Sequence, residues 1–140
     1  MIFIDTALYN TLKAATALTT LVGGTASPRI YNTILPQGAT FPVLVFQKMG
    51  GGHVPDNPKV NVEAVYMIKA IGFDLQTAEN IDLAASNAVD RQSLGVSTEG
   101  YTDYASFRNM GLHFVEDVGG GKVAFHIGAL YSIKAAQNQS

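Results

Sequence analysis

The chain has 140 residues, 47% hydrophobic and only 14% charged, with a formal net charge of -2 and no cysteine. These values exclude a disordered or disulfide-stapled chain, a thiolate metal site, a cysteine nucleophile and the basic footprint of a nucleic-acid binder. One domain, 1–140, is expected, large enough to bury roughly 70% of its unfolded surface without staples.

The charged fraction lies below the ~25% usual for globular proteins, which fits either surface reserved for protein contact or simple compactness. The N-terminus, MIFIDTALYN, has no basic n-region or long apolar run, and no stretch approaches the ~20 apolar residues of a membrane helix. A soluble protein that is neither exported by the usual route nor tied to a membrane is expected.

Asp5 precedes Leu8, Leu12, Ala15, Leu18 and Val22, spaced by three and four. The spacing predicts an amphipathic helix over 6–22, capped by Asp5 and ended by Gly23-Gly24. Arg29–Ile34 reads as a short strand. Pro36-Gln37-Gly38 marks a turn, and Pro42, where a missing N–H costs least, opens a second strand over Phe41–Met49. Residues 50–59, GGGHVPDNPK, read as an exposed, adaptable loop. From Val60 to Phe73 the even positions Val60, Val62, Ala64, Tyr66, Ile68 and Ala70 alternate as a long strand does. Asp74 is expected to cap a second helix over 75–92, with Ala78, Ile81, Ala85 and Ala88 on its buried side. Residues 93–105 read as a loop.

The last third predicts a hairpin around Gly119-Gly120-Gly121. Pairing Asp117 with Lys122 sets Phe114 opposite Phe125, Leu112 opposite Ile127 and Met110 opposite Ala129, with every apolar partner on one side. A slip of one residue sets His113 against Ile127 and Val115 against Phe125, which mixes the faces. The first register is therefore expected.

Few residues carry candidate chemistry. In that register His113 faces His126, an interface pair that becomes repulsive when protonated. Their neighbours on that face, Gly111, Val115, Ala124 and Gly128, supply no third metal ligand. His53 lies near Asp56 in the Gly/Pro loop, without the nucleophile and base frame that catalysis requires. Neither glycine run sits between a strand and a helix or precedes Lys-Ser/Thr, so neither is a phosphate loop. Asp74, Glu79 and Asp82 suit the first turns of a helix, where carboxylates complement the dipole. No catalytic residue, cofactor or metal is expected. The fold class expected is α+β: a mixed, mostly antiparallel sheet with two helices on one face and a C-terminal hairpin.

A helix ending in Leu21-Val22-Gly23-Gly24, then Arg29-Ile30-Tyr31, Pro36-Gln37-Gly38 and Phe41-Pro42-Val43 follow one another in fixed order. With the strand carrying Glu63-Ala64-Val65-Tyr66, the helix carrying Ala84-Ala85 and Ala88-Val89, and the final hairpin, this order resembles the tail terminator (tail completion) proteins of long-tailed bacteriophages. The resemblance implies a homo-oligomeric ring, commonly of six subunits, on the head-proximal end of the tail tube. Such a ring ends tube polymerisation and meets the head–tail connector.

It further implies assembly in the host bacterial cytoplasm into the virion tail, with the major tail tube protein and the connector as partners. No membrane and no sequence-specific nucleic acid are involved. The interface candidates are the loop Gly50, Gly51, Gly52, His53, Val54, Pro55, Asp56, Asn57, Pro58 and Lys59. To these are added the strand-edge corner Pro36, Gln37, Gly38, Phe41 and Pro42, and the pair His113 and His126. Another head–tail connector or minor tail protein is the alternative reading, and a small-molecule-binding α/β domain a weaker one.

Overall fold

In the computed structural model, which describes residues 2–55, 60–94 and 101–137, Ile4, Leu8 and Leu12 form the buried stripe of helix α1 (Ile2–Ala14). The apolar spacing holds, but the helix is not continuous to residue 22. Ala15 is extended (φ -81°, ψ 96°), and Leu18 and Val22 ride instead on the short α2 (Thr16–Thr19) and a 3-10 turn, Thr20–Val22. The run of threonines explains the break. The Thr19 and Thr20 hydroxyls donate to the Thr16 carbonyl at 3.3 and 2.8 Å, offering the backbone an alternative to regular helix. Asp5 lies inside α1 rather than capping it, and its carboxylate accepts from the Tyr66 hydroxyl and from Asn32 Nδ2.

The five strands are β1 (Ile30–Asn32), β2 (Val43–Pro55), β3 (Val60–Gly72), β4 (Tyr101–Gly119) and β5 (Lys122–Gln137), in sheet order β1-β2-β3-β5-β4. β1 runs parallel to β2, and every other neighbouring pair is antiparallel. The third helix, α3 (Leu75–Val89), starts where Asp74 accepts from the Thr77 amide at 3.0 Å, as expected, and ends three residues earlier than its pattern suggested. Its Ala78, Ile81, Ala85 and Val89 are buried with α1 against Phe46, Tyr66, Ile68, Tyr131 and Ile133. Ala88 is only half-buried. The fold class is the expected α+β mixed sheet with a C-terminal hairpin.

The opposite face of the sheet carries a smaller cluster, Val43, Val45, Ile71 and Ala124, covered by Tyr31, Leu35 and Phe41. This gives the corner at residues 36–42 its purpose in the fold. Ala39 N–H donates to the Pro36 carbonyl at 3.1 Å, Gly38 turns at φ +78° and Phe41-Pro42 is cis. The chain thereby crosses that face and enters β2 beside the strand it has just left.

Two expectations about loops are corrected. Gly50–Pro55 is not loop: β2 runs through the glycines, past a bulge between Lys48 and Gly50, and pairs with Val60–Val65. Gly51 is required there, because a Cβ would lie 2.6 Å from the Glu63 carbonyl oxygen and 2.7 Å from Ala64 Cα. Asp56–Lys59 lie outside the described residues. Likewise Tyr101–Ala105 belong to β4 rather than to a loop, because β5 is long enough to pair with them. Residues 95–100 of that expected loop lie outside the described residues.

The hairpin exists, but its register is the one that the face argument rejected. Val115 pairs with Phe125, Phe114 with His126, His113 with Ile127 and Leu112 with Gly128. The cause is the turn. Gly120 and Gly121 both have positive φ (63° and 77°), Gly119 pairs with Lys122, and a bulge between Asp117 and Gly119 absorbs one residue. Asp117 Oδ1 holds the bulge by accepting from the Gly119 amide at 2.9 Å.

Candidate assembly surface

The three groups of residues expected at an interface are not brought together. The corner Pro36–Gly38 is exposed, with Phe41 and Pro42 half-buried below it. Phe41 meets Phe73 with ring centroids 5.1 Å apart, and Lys122 Nζ lies 5.9 Å above the Phe73 ring, so the corner shares one end of the sheet with the hairpin turn. Gly50–Pro55 lies at the other end of β2, where Pro55 pairs with Val60. Along β2, Gly50 lies roughly 25 Å and Pro55 roughly 40 Å from the corner.

The histidine pair does not exist. Successive residues of a strand point to opposite faces, and in the observed register His113 pairs with Ile127 on the helix-covered face while His126 pairs with Phe114 on the other. His126 is 7% exposed. It stacks on Phe114 (centroids 4.4 Å, interplanar 14°), and its Nε2 lies 2.9 Å from Glu116 Oε1. Lys69 Nζ sits 5.2 Å over the far ring of this stack. Burial pushes the Lys69 ammonium below its usual range, and Glu116 partly offsets this. The group is a local clasp between β3, β4 and β5.

What the sequence reading missed is the outer edge of the sheet. β4 is 19 residues long and terminal in the strand order. Its Phe107, Met110 and Phe114 are 44%, 58% and 46% exposed, with Val115 and Val118 exposed beside them. Of these, Met110 and Phe114 are expected from the sequence in apolar cross-strand pairs with Ala129 and Phe125. The available signal was the absence of lysine and proline from residues 101–119, the residues that ordinarily guard an edge strand. Three charged side chains of the edge, Arg108, Glu116 and Asp117, are engaged internally. Arg108 binds Asp82 of α3 through two contacts of 3.1 and 3.0 Å and also donates to Tyr131 Oη at 3.2 Å. Burial opposes the charge on Arg108, but Asp82 and Tyr131 together outweigh it and its pKa is raised. Glu116 is held by His126, and Asp117 by the turn.

The edge is covered only in part. Arg91 N–H donates to the Ser106 carbonyl at 2.6 Å, Ser106 N–H to the Gln92 carbonyl at 3.2 Å, and Arg108 N–H to Asp90 Oδ1 at 2.8 Å. Past the bulge between Arg108 and Met110, nothing among the described residues pairs with β4 on its outer side. On the opposite edge β1 pairs with Leu44–Phe46, and nothing among the described residues pairs with the outer side of β2 from Gln47 onward.

Two shallow clefts lie elsewhere among the described residues. One of about 260 Å³ is lined by Asp5, Thr6, Tyr9, Asn32 and Phe46, and one of about 330 Å³ between α2 and α3 includes Ala17, Leu21, Leu83 and Ala84. Among the described residues no cluster of His, Asp and Glu could hold a metal ion, and no helix is long and apolar enough to cross a membrane.

Among the described residues this α+β sheet leaves an edge strand that can template pairing with another chain. The chain belongs to the tail completion protein gp17 family, whose model matches residues 6–109, so it is a structural component of the virion tail. A chain from the virion of a native gene transfer agent (GTA) particle has the same fold. The two align with a TM-score of 0.71 at 17% identity, over 95% of this chain and 94% of that one. Among curated proteins no relative matches the sequence.

Proposed function

We propose that this protein closes into a ring, of six copies by the family resemblance, that caps the head-proximal end of the tail tube. The ring ends tube polymerisation and presents its free side to the head–tail connector. The observation that carries this reading is the exposed apolar edge of β4 in a chain of the tail completion family. An edge of this kind is a template for another chain, and a head-to-tail contact that repeats by rotation closes into a ring. In this reading the Gly50–Lys59 region and the Pro36–Pro42 corner serve as contact surfaces toward neighbours, tube or connector. The major tail tube protein and the connector are the partners, and the chemistry is contact rather than catalysis.

The test is native mass spectrometry over a concentration series, with and without purified tail tube protein. Mass action decides whether rings persist alone, so rings formed only on tube ends also satisfy the reading. A monomer at every concentration, indifferent to tube protein, rules it out.

A further inference from the structure

We infer that neighbouring copies join by strand addition, the open outer edge of β4 in one copy pairing antiparallel with the open outer edge of β2 in the next. This rests on the ring reading and deepens it by naming the contact. Four observations converge on it.

First, the described sheet has two open runs of similar length, Met110–Val118 on β4 and Gln47–Pro55 on β2. Each presents main-chain donors and acceptors that demand partners once water is excluded. Second, these runs lie on opposite edges of one sheet, so the contact is head-to-tail and can repeat. β2 and β5 run one way and β3 and β4 the other, so carrying β4 onto the next copy's β2 continues the antiparallel order. Third, the middle of the β2 run is Gly50-Gly51-Gly52, where no side chain hinders a strand arriving from outside. Fourth, Met110 and Phe114 on β4 stand on the face away from the helices, as Gln47 and Gly50 do through their partners Met67 and Val65. Full overlap of the two runs therefore sets the exposed Phe114 of one copy against Gly50 of the next and the half-buried Val65 beside it.

The geometry is consistent with closure. Because the two runs sit at different heights, each copy steps along the strand direction by roughly nine residues, about 30 Å. Five strands give about 24 Å of sheet width. Strands then tilt by about 50° from the ring axis, slightly beyond the 35–45° typical of closed sheets.

The native chain has no cysteine, so a disulfide scan is clean. Leu112→Cys or Phe114→Cys is combined with Gly50→Cys or Gly52→Cys, the positions that full overlap sets opposite them, and a Cβ at Gly50 meets nothing within 4 Å. Each variant is first shown to melt cooperatively in reductant. On oxidation at least one double variant should give a ladder of covalent oligomers ending in a closed ring, because bridged strands need Cα atoms about 4.4–6.8 Å apart. Single-cysteine variants should stop at dimers. Rings seen by native mass with no ladder from any of the four pairs overturn the strand pairing and leave the ring intact. Absence of both ring and ladder with tail tube protein present overturns the two together.

Discussion

Replacing Gly128 with alanine tests the close approach of β3 and β5 on which the hairpin, and hence the free edge, depends. A Cβ at Gly128 would lie 2.1 Å from the Ile68 carbonyl oxygen and 2.5 Å from Lys69 Cα. Both obstacles are backbone, so no rotamer change relieves the clash. β3 must move away by about 1 Å, loosening the ladder near Lys69–Gly128 and Ile68–Ala129. Overpacking typically costs ~1–3 kcal/mol, and two weakened ladder bonds add about 1 kcal/mol each. Gly128→Ala should therefore lose about 3–5 kcal/mol. At roughly 4 °C per kcal/mol for a domain of this size, the melting temperature should fall by about 12–20 °C. Gly111→Ala is the control on the neighbouring strand. Its Cβ meets Arg108 Nη2 at 3.9 Å and the Gly128 carbonyl at 4.0 Å, ordinary contacts, and removing a strand glycine is worth ~0.5–1 kcal/mol. Circular dichroism melts of the two variants beside the parent decide the matter. A Gly128→Ala protein melting within about 4 °C of the parent would refute the argument.

Three further outcomes are expected. Arg108→Ala should cost about 2–3 kcal/mol in urea unfolding, since it strips Asp82 and Tyr131 of a charged partner. Arg108→Lys should restore less than half of that, because a point charge cannot repeat the two-pronged contact. Asp74→Ala should cost about 1 kcal/mol through loss of the α3 cap, and no loss would mean the cap is idle. The Tyr66 hydroxyl is pushed up, first by burial and then by its bond to Asp5. In the unfolded chain it ionises near pH 10, so its contribution is complete below that pH and is lost as pH rises above it. The loss is up to about 1.4 kcal/mol per pH unit. Tyr66→Phe should flatten the fall of stability between pH 10 and 11.5 by up to that amount, and an unchanged slope would refute the assignment.

Periodicity and local turn chemistry carried much of the fold. Ile4, Leu8 and Leu12 mark α1, the even residues of 62–70 mark β3, and Asp74 marks the start of α3. What escaped had non-local causes. The glycines at 50–52 read as loop because glycine is locally permissive, yet they form strand because β3 runs alongside and Gly51 lies against it. The hairpin register follows a bulge at the turn, and pattern matching on faces cannot see a bulge. That one-residue difference dissolved the His113–His126 pair. It also turned Phe114 and Met110 from expected core partners into an exposed edge. The candidate site was thus legible as composition, few charges and no edge guards, but not as a location.

Electron microscopy of particles assembled with and without this chain tests the central claim most directly. The account predicts that its absence leaves unjoined heads alongside tail tubes of irregular length, and that adding the purified protein restores joined particles. Joined particles with tails of normal length, made in its absence, would contradict the account.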